Sequence, residues 1–189
     1  MDISTEEQKA CEGMLAALGK LPVEAENRSR VYDSHEPVPP EERLAALLLT
    51  EARQDVLCQG WHFNTARITC CLKEDDEGGK SDLCTHNILK LLENPPSVVL
   101  RGDVLHYHGK PFPQELVVRA AIDLEFKDLP LLCNRLVVVR ATRNLQDRLR
   151  VSPTLHAFTE RQEAEAYGLL KQWEAEQTCA NMLRPLMRR

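Results

Sequence analysis

No run in this 189-residue sequence approaches the eighteen or so apolar residues of a membrane-crossing helix, so no membrane contact is expected. Positive charge is also in short supply. Twenty-nine acidic side chains outnumber 24 basic ones, for a net of −5, which makes the chain a poor electrostatic match for nucleic-acid phosphates. Enzyme signatures are missing: there is no phosphate-cradling glycine loop, no Gly-x-Ser-x-Gly and no His-Glu-x-x-His. Gly78-Gly79-Lys80-Ser81 echoes only the end of a phosphate loop, and the acids before it would repel phosphate. The opening Met1-Asp2-Ile3-Ser4-Thr5-Glu6-Glu7 is acidic where a signal peptide would be basic. The expectation is a globular, non-enzymatic protein that stays in the cytosol where it is made and needs no cofactor.

What is present is 43% hydrophobic residues, enough for an ordinary core in one domain or in a helical domain with an insertion. Ser4 and Glu7 form a capping-box pattern, and Cys11, Met14, Leu15 and Leu18 keep helical spacing, which predicts a first helix over 4–18 ended by Gly19. Residues 22–40 hold four prolines without a hydrophobic period and read as an extended connection. A second helix is expected from Pro40-Glu41-Glu42 through Leu44, Leu47, Leu48, Ala52 and Val56. Gly60 suits the left-handed residue beyond its end, and Trp61 then falls where a Schellman cap allows packing back onto Val56.

From Ala66 the period shifts towards two, with strands expected at 67–72, 88–91, 97–100, 104–108 and 116–126 and a tight turn at Arg101-Gly102-Asp103. Glu74-Asp75-Asp76-Glu77-Gly78-Gly79 reads as an exposed acidic loop. Asp128 is a candidate N-cap for a third helix carrying Cys133, Leu136, Val137, Ala141 and Leu145. A last helix over 154–182 places Ala166, Leu169, Leu170, Trp173 and Ala180 on one side. The fold expected is α+β: a four-helix bundle with a small antiparallel β insertion between helices two and three. Its boundaries are 1–66, 67–126 and 127–189, the last including a C-terminal tail.

Seven cysteines, an odd number without framework spacing, read as reduced and mostly core thiols. Two groups of residues could hold a metal. His106 and His108 flank Tyr107 and would share one face of a strand, a chelating geometry, but as surface residues beside a turn they need no ligand. Cys70, Cys71, Cys84 and His86 could be gathered across the acidic loop, although adjacent cysteines on a strand point to opposite faces. These residues sustain one alternative function, a small zinc-dependent regulatory or nucleic-acid-binding module.

Three segments carry a family resemblance by their order and spacing. They are Met14-Leu15-Ala16-Ala17-Leu18-Gly19-Lys20-Leu21-Pro22-Val23, Gly60-Trp61-His62-Phe63-Asn64, and Ala141-Thr142-Arg143-Asn144-Leu145-Gln146-Asp147-Arg148. Together with Glu163-Ala164-Glu165-Ala166 and Asn181-Met182-Leu183, they make the chain resemble the tail tubular protein A family, the head–tail adaptors of short-tailed podovirus bacteriophages. The stretch 73–108 departs from the family pattern.

The resemblance implies a virion tail component assembled in the host cytoplasm. It implies a homo-dodecameric ring below the portal protein, holding the tail nozzle (tail tubular protein B) beneath it and tail fibres at the collar. Genomic DNA would pass through the lumen without sequence-specific contact. A closed ring needs two different complementary faces on each subunit. Gly60, Trp61 and Phe63 are the expected structural anchor, and Arg143 and Arg148 the expected bundle or inter-subunit contacts. The apolar and basic tail Met182, Leu183, Arg184, Leu186, Met187, Arg188 and Arg189 is the expected portal-docking segment.

Overall fold

The computed structural model describes residues 5–19, 40–72, 80–81, 87–93, 97–102, 104–109, 113–149 and 153–182. Its architecture is α+β, with four helices and six short strands among the described residues. The strands follow the second helix in sequence and precede the third. The chain divides into two compact units: residues 1–56 with 125–189, and residues 57–124.

The first unit is helical. Helix α1 (Thr5–Ala17) buries Cys11, Met14 and Leu15, as its spacing predicts. Ser4 lies outside the described residues, and Glu7 makes an ion pair with Arg53 at 3.9 Å. Helix α2 (Pro40–Leu57) turns Ala45, Leu48, Leu49, Ala52 and Val56 inward. Leu47, expected in that core, is 55% exposed, because the buried arc of the helix is centred on the alanines at 45 and 52. The connection expected over 22–40 lies outside the described residues up to Val38 and Pro39.

Helix α3 (Leu131–Leu149) buries Cys133, Leu136, Val137, Ala141 and Leu145, all expected, together with the polar Thr142 and Gln146. It starts later than expected. Asp128 does not cap it but ends a short 3-10 turn, Phe126–Asp128, in which its N–H donates to the Glu125 carbonyl at 2.9 Å. The first intrahelical bond runs from the Asn134 N–H to the Pro130 carbonyl at 2.9 Å, so proline stands at the helix boundary, where its missing N–H costs nothing. Helix α4 (Pro153–Met182) buries Thr159, Glu163, Ala166 and Leu170, a narrow seam with steps of four, three and four. Leu169, expected inside, is 36% exposed and falls outside that seam. Helix α4 lies against α3, and α1 against α3.

The second unit consists of two three-stranded antiparallel sheets. One has the order β1 (Thr65–Cys71), β6 (Glu115–Ile122), β3 (Ile88–Glu93); the other has the order β2 (Lys80–Ser81), β5 (Val104–Tyr107), β4 (Val98–Arg101). β6 stops at Ile122 rather than running to Phe126, because the chain leaves the ladder for the 3-10 turn. Cys70, Leu72, Leu116 and Val118 from the first sheet meet Val98 and Leu105 from the second, so period-two alternation on both sheets builds one shared core.

Candidate functional site

The segment that ends α2 is capped by a side chain. Gly60 has φ +75°, and its N–H returns to the Leu57 carbonyl at 3.0 Å, the inner bond of a Schellman-type stop. A β-carbon at Gly60 would sit 2.6 Å from a methyl of Leu92, so any other residue there must displace that side chain as well as hold a left-handed backbone.

The Trp61 N–H donates to Asn64 Oδ1 at 2.8 Å. The Asn64 amide nitrogen donates in turn to the carbonyls of Leu57 at 2.9 Å and Ile122 at 3.0 Å. Asn64 is almost completely buried, and one amide group thus ties the end of α2, a 3-10 turn over His62–Asn64 and the last residue of β6. Trp61 is buried, while Phe63 is half-buried and meets the His62 ring edge-on at 5.7 Å. The anchor expected at Gly60, Trp61 and Phe63 therefore has Asn64 as its hub. Sequence reading missed that role, although an asparagine four residues beyond the Gly60 stop is the signal that points to it.

A second polar cluster joins α3 to α4. Arg140 Nε donates to Glu163 Oε1 at 2.7 Å, and Arg143 Nε lies 2.9 Å from Glu163 Oε2 as an ion pair. Arg135 reaches Glu165 at 4.0 Å, the Thr159 hydroxyl lies 2.7 Å from Gln146 Oε1, and His156 Nδ1 lies 2.8 Å from Asp147. Residue numbers rise on one helix as they fall on the other, as antiparallel neighbours require.

Glu163 is nearly buried, and two guanidinium groups hold its charge there. Arg143 is thereby placed in a contact within the subunit. Arg148 is exposed and makes no ion pair among the described residues. Gln146 and Thr159 were missed as contact residues because a polar residue on a helix usually marks the solvent side.

The candidate metal ligands are placed as follows. Cys70 is buried in the sheet core and Cys71 is exposed on the other face of β1, while Cys84 and His86 lie outside the described residues. His106 lies on β5 and His108 just past its end, with their rings stacked at 6.4 Å. Among the described residues, no group of three or more His, Cys, Asp or Glu is positioned to hold a metal ion. Burial pushes the Cys133 thiol up to about 12. Cys11 is pushed up to about 11, first by burial and then by nearby Glu7, Glu42 and Glu12. Both thiols are neutral core groups at physiological pH. Among the described residues, no helix is long and apolar enough to cross a membrane. Met182 is the last residue of α4, and residues 183–189 of the expected docking tail lie outside the described residues.

With this geometry in place, the comparison with known families is decisive: a family model described as tail tubular protein matches residues 9–179. The chain belongs to the tail tubular protein family. No curated protein matches it. As a tail tubular protein it is a structural component of a phage tail. The matched span includes the Gly60–Asn64 stop and the whole α3–α4 polar seam.

Proposed function

We propose that this tail tubular protein is the head–tail adaptor of a short-tailed phage. Twelve copies form a ring that joins the portal to the tail nozzle, helps anchor the tail fibres and leaves a channel for DNA retention and ejection. The four helices are read as one bundle. The observation that carries this reading is the tail tubular match over residues 9–179. It is supported by charge placement: Arg140 and Arg143 are engaged with Glu163 inside the subunit, which leaves the acidic excess to face outward.

Twelve subunits at −5 sum to about −60, and acids lining a lumen would keep DNA phosphates from sticking during passage. The segment from Met182 to Arg189 is the portal-docking element, with methionines and leucines to fill a groove and arginines to meet acidic rims. Negative-stain imaging of the purified chain mixed with its portal tests the reading. A twelve-fold ring stacked on the portal is expected, and bare portals beside unassembled subunits would refute it. A truncation after Asn181 is expected to abolish the stacking.

A further inference from the structure

The outer face of the β1–β6–β3 sheet, opposite the shared core, carries an arrangement that folding alone disfavours. Arg67 of β1 stands directly across the ladder from Arg119 of β6, followed by Thr69 across from Val117 and Cys71 across from Glu115. All six residues are exposed, with Val117 57% exposed at the centre. Like charges directly opposite on neighbouring strands repel and weaken a sheet. Arg119 is relieved by Glu93 at 2.8 Å, whereas Arg67 has no ion-pair partner among the described residues. A cross-strand arginine pair beside an exposed valine is the composition of an interface, where arginine and apolar anchors are enriched.

We propose that this sheet face docks the acidic segment Glu74-Asp75-Asp76-Glu77 of a second copy of the chain. That run of four acids is the densest in the sequence and the natural counter-charge to two adjacent guanidinium groups. It follows Leu72, beyond the end of β1, while Arg67 lies about 16 Å back along the strand at ~3.3 Å per residue. Pairing this run with the arginines of another copy joins two different surfaces, the heterologous type of contact that closes rings. A nucleic-acid backbone fits the face poorly, since Glu93 and Glu115 flank the arginines and Val117 occupies the middle.

This inference rests on the ring reading above. The test scores rings on portal by negative stain and mass photometry for four chains: wild type, Arg67→Glu with Arg119→Glu, the four acids at 74–77 changed to lysine, and the two sets combined. Each single set is expected to raise the protein concentration needed for half-maximal ring formation by about tenfold or more, and the combination to restore it.

A milder variant, Arg67→Thr, separates docking from folding. Relief of the cross-strand repulsion should raise the melting temperature of the isolated subunit while ring yield falls. Wild-type rings matched by equally good Arg67→Glu/Arg119→Glu rings would overturn the inference and leave the ring reading intact. Failure of wild type to form rings would overturn both. Intact rings with impaired DNA passage in the arginine variant would assign the face to phosphate and overturn the proposal.

Discussion

Asn64 and Ile122 are joined by a hydrogen bond of 3.0 Å that spans 58 positions of the chain, from a buried side-chain amide to the last carbonyl of β6. The same amide nitrogen serves Leu57, and its oxygen accepts from Trp61. With three bonds worth about 1 kcal/mol each, Asn64→Ala should lower unfolding free energy by about 3 kcal/mol. Asn64→Asp should cost more, because a carboxylate would face the two carbonyls that now receive donors. Urea denaturation of both variants checks the order, and an aspartate variant as stable as wild type would contradict this geometry.

Gly60 combines a left-handed backbone with a side-chain clash, and the two costs can be separated. Gly60→Ala should destabilise by about 2 kcal/mol or more, from the φ of +75° and the contact with Leu92. Adding Leu92→Ala opens the space but leaves the backbone strain of roughly 1–2 kcal/mol. The double variant measured from a Leu92→Ala background should therefore show a smaller glycine effect than the single variant does in wild type.

Glu163 should be the most sensitive position of the α3–α4 seam. Glu163→Gln leaves Arg140 and Arg143 without their counter-charge and should cost about 2 kcal/mol. Arg143→Glu, which places like charges 2.9 Å apart, should lower the melting temperature further. Arg148→Glu, at an exposed position without an ion pair among the described residues, should stay within about 0.5 kcal/mol of wild type. Calorimetric melting of the three variants is the measurement.

Cys133 contributes a defined alkaline sensitivity. Its folded thiol is raised to about 12 from an ordinary value of 9.0, so below pH 9 it is protonated in both states and its contribution is fully present. Above pH 9 the unfolded chain ionises while the folded one does not, and that contribution is lost as pH rises through 12. The slope is about 1.4 kcal/mol per pH unit for one proton. Cys133→Ala should flatten the fall in stability above pH 9 by this amount. Identical slopes for the two proteins would rule the effect out.

The helices and strands were largely legible because burial follows local spacing. Cys11, Met14 and Leu15 on α1, and Cys133, Leu136, Val137, Ala141 and Leu145 on α3, sit where periodicity puts them. Misreadings occurred where apolar spacing allowed two arcs. Leu47 and Leu169 are exposed although each belongs to a plausible stripe, and only the neighbouring helix chooses between arcs. Asp128 was mistaken for a cap because a 3-10 turn and a helix start draw on the same residue types.

By itself the sequence determined the element types, the absence of enzyme motifs and the resemblance through which the family was first seen. Each of these depends on residues close together along the chain. Only the tertiary structure decided that Glu163 pairs with two arginines, that Asn64 reaches Ile122, and that Arg67 faces Arg119 across a ladder. Those pairings join residues tens of positions apart, and their register comes from how the hydrophobic surfaces close on one another, which no local pattern of polar residues encodes.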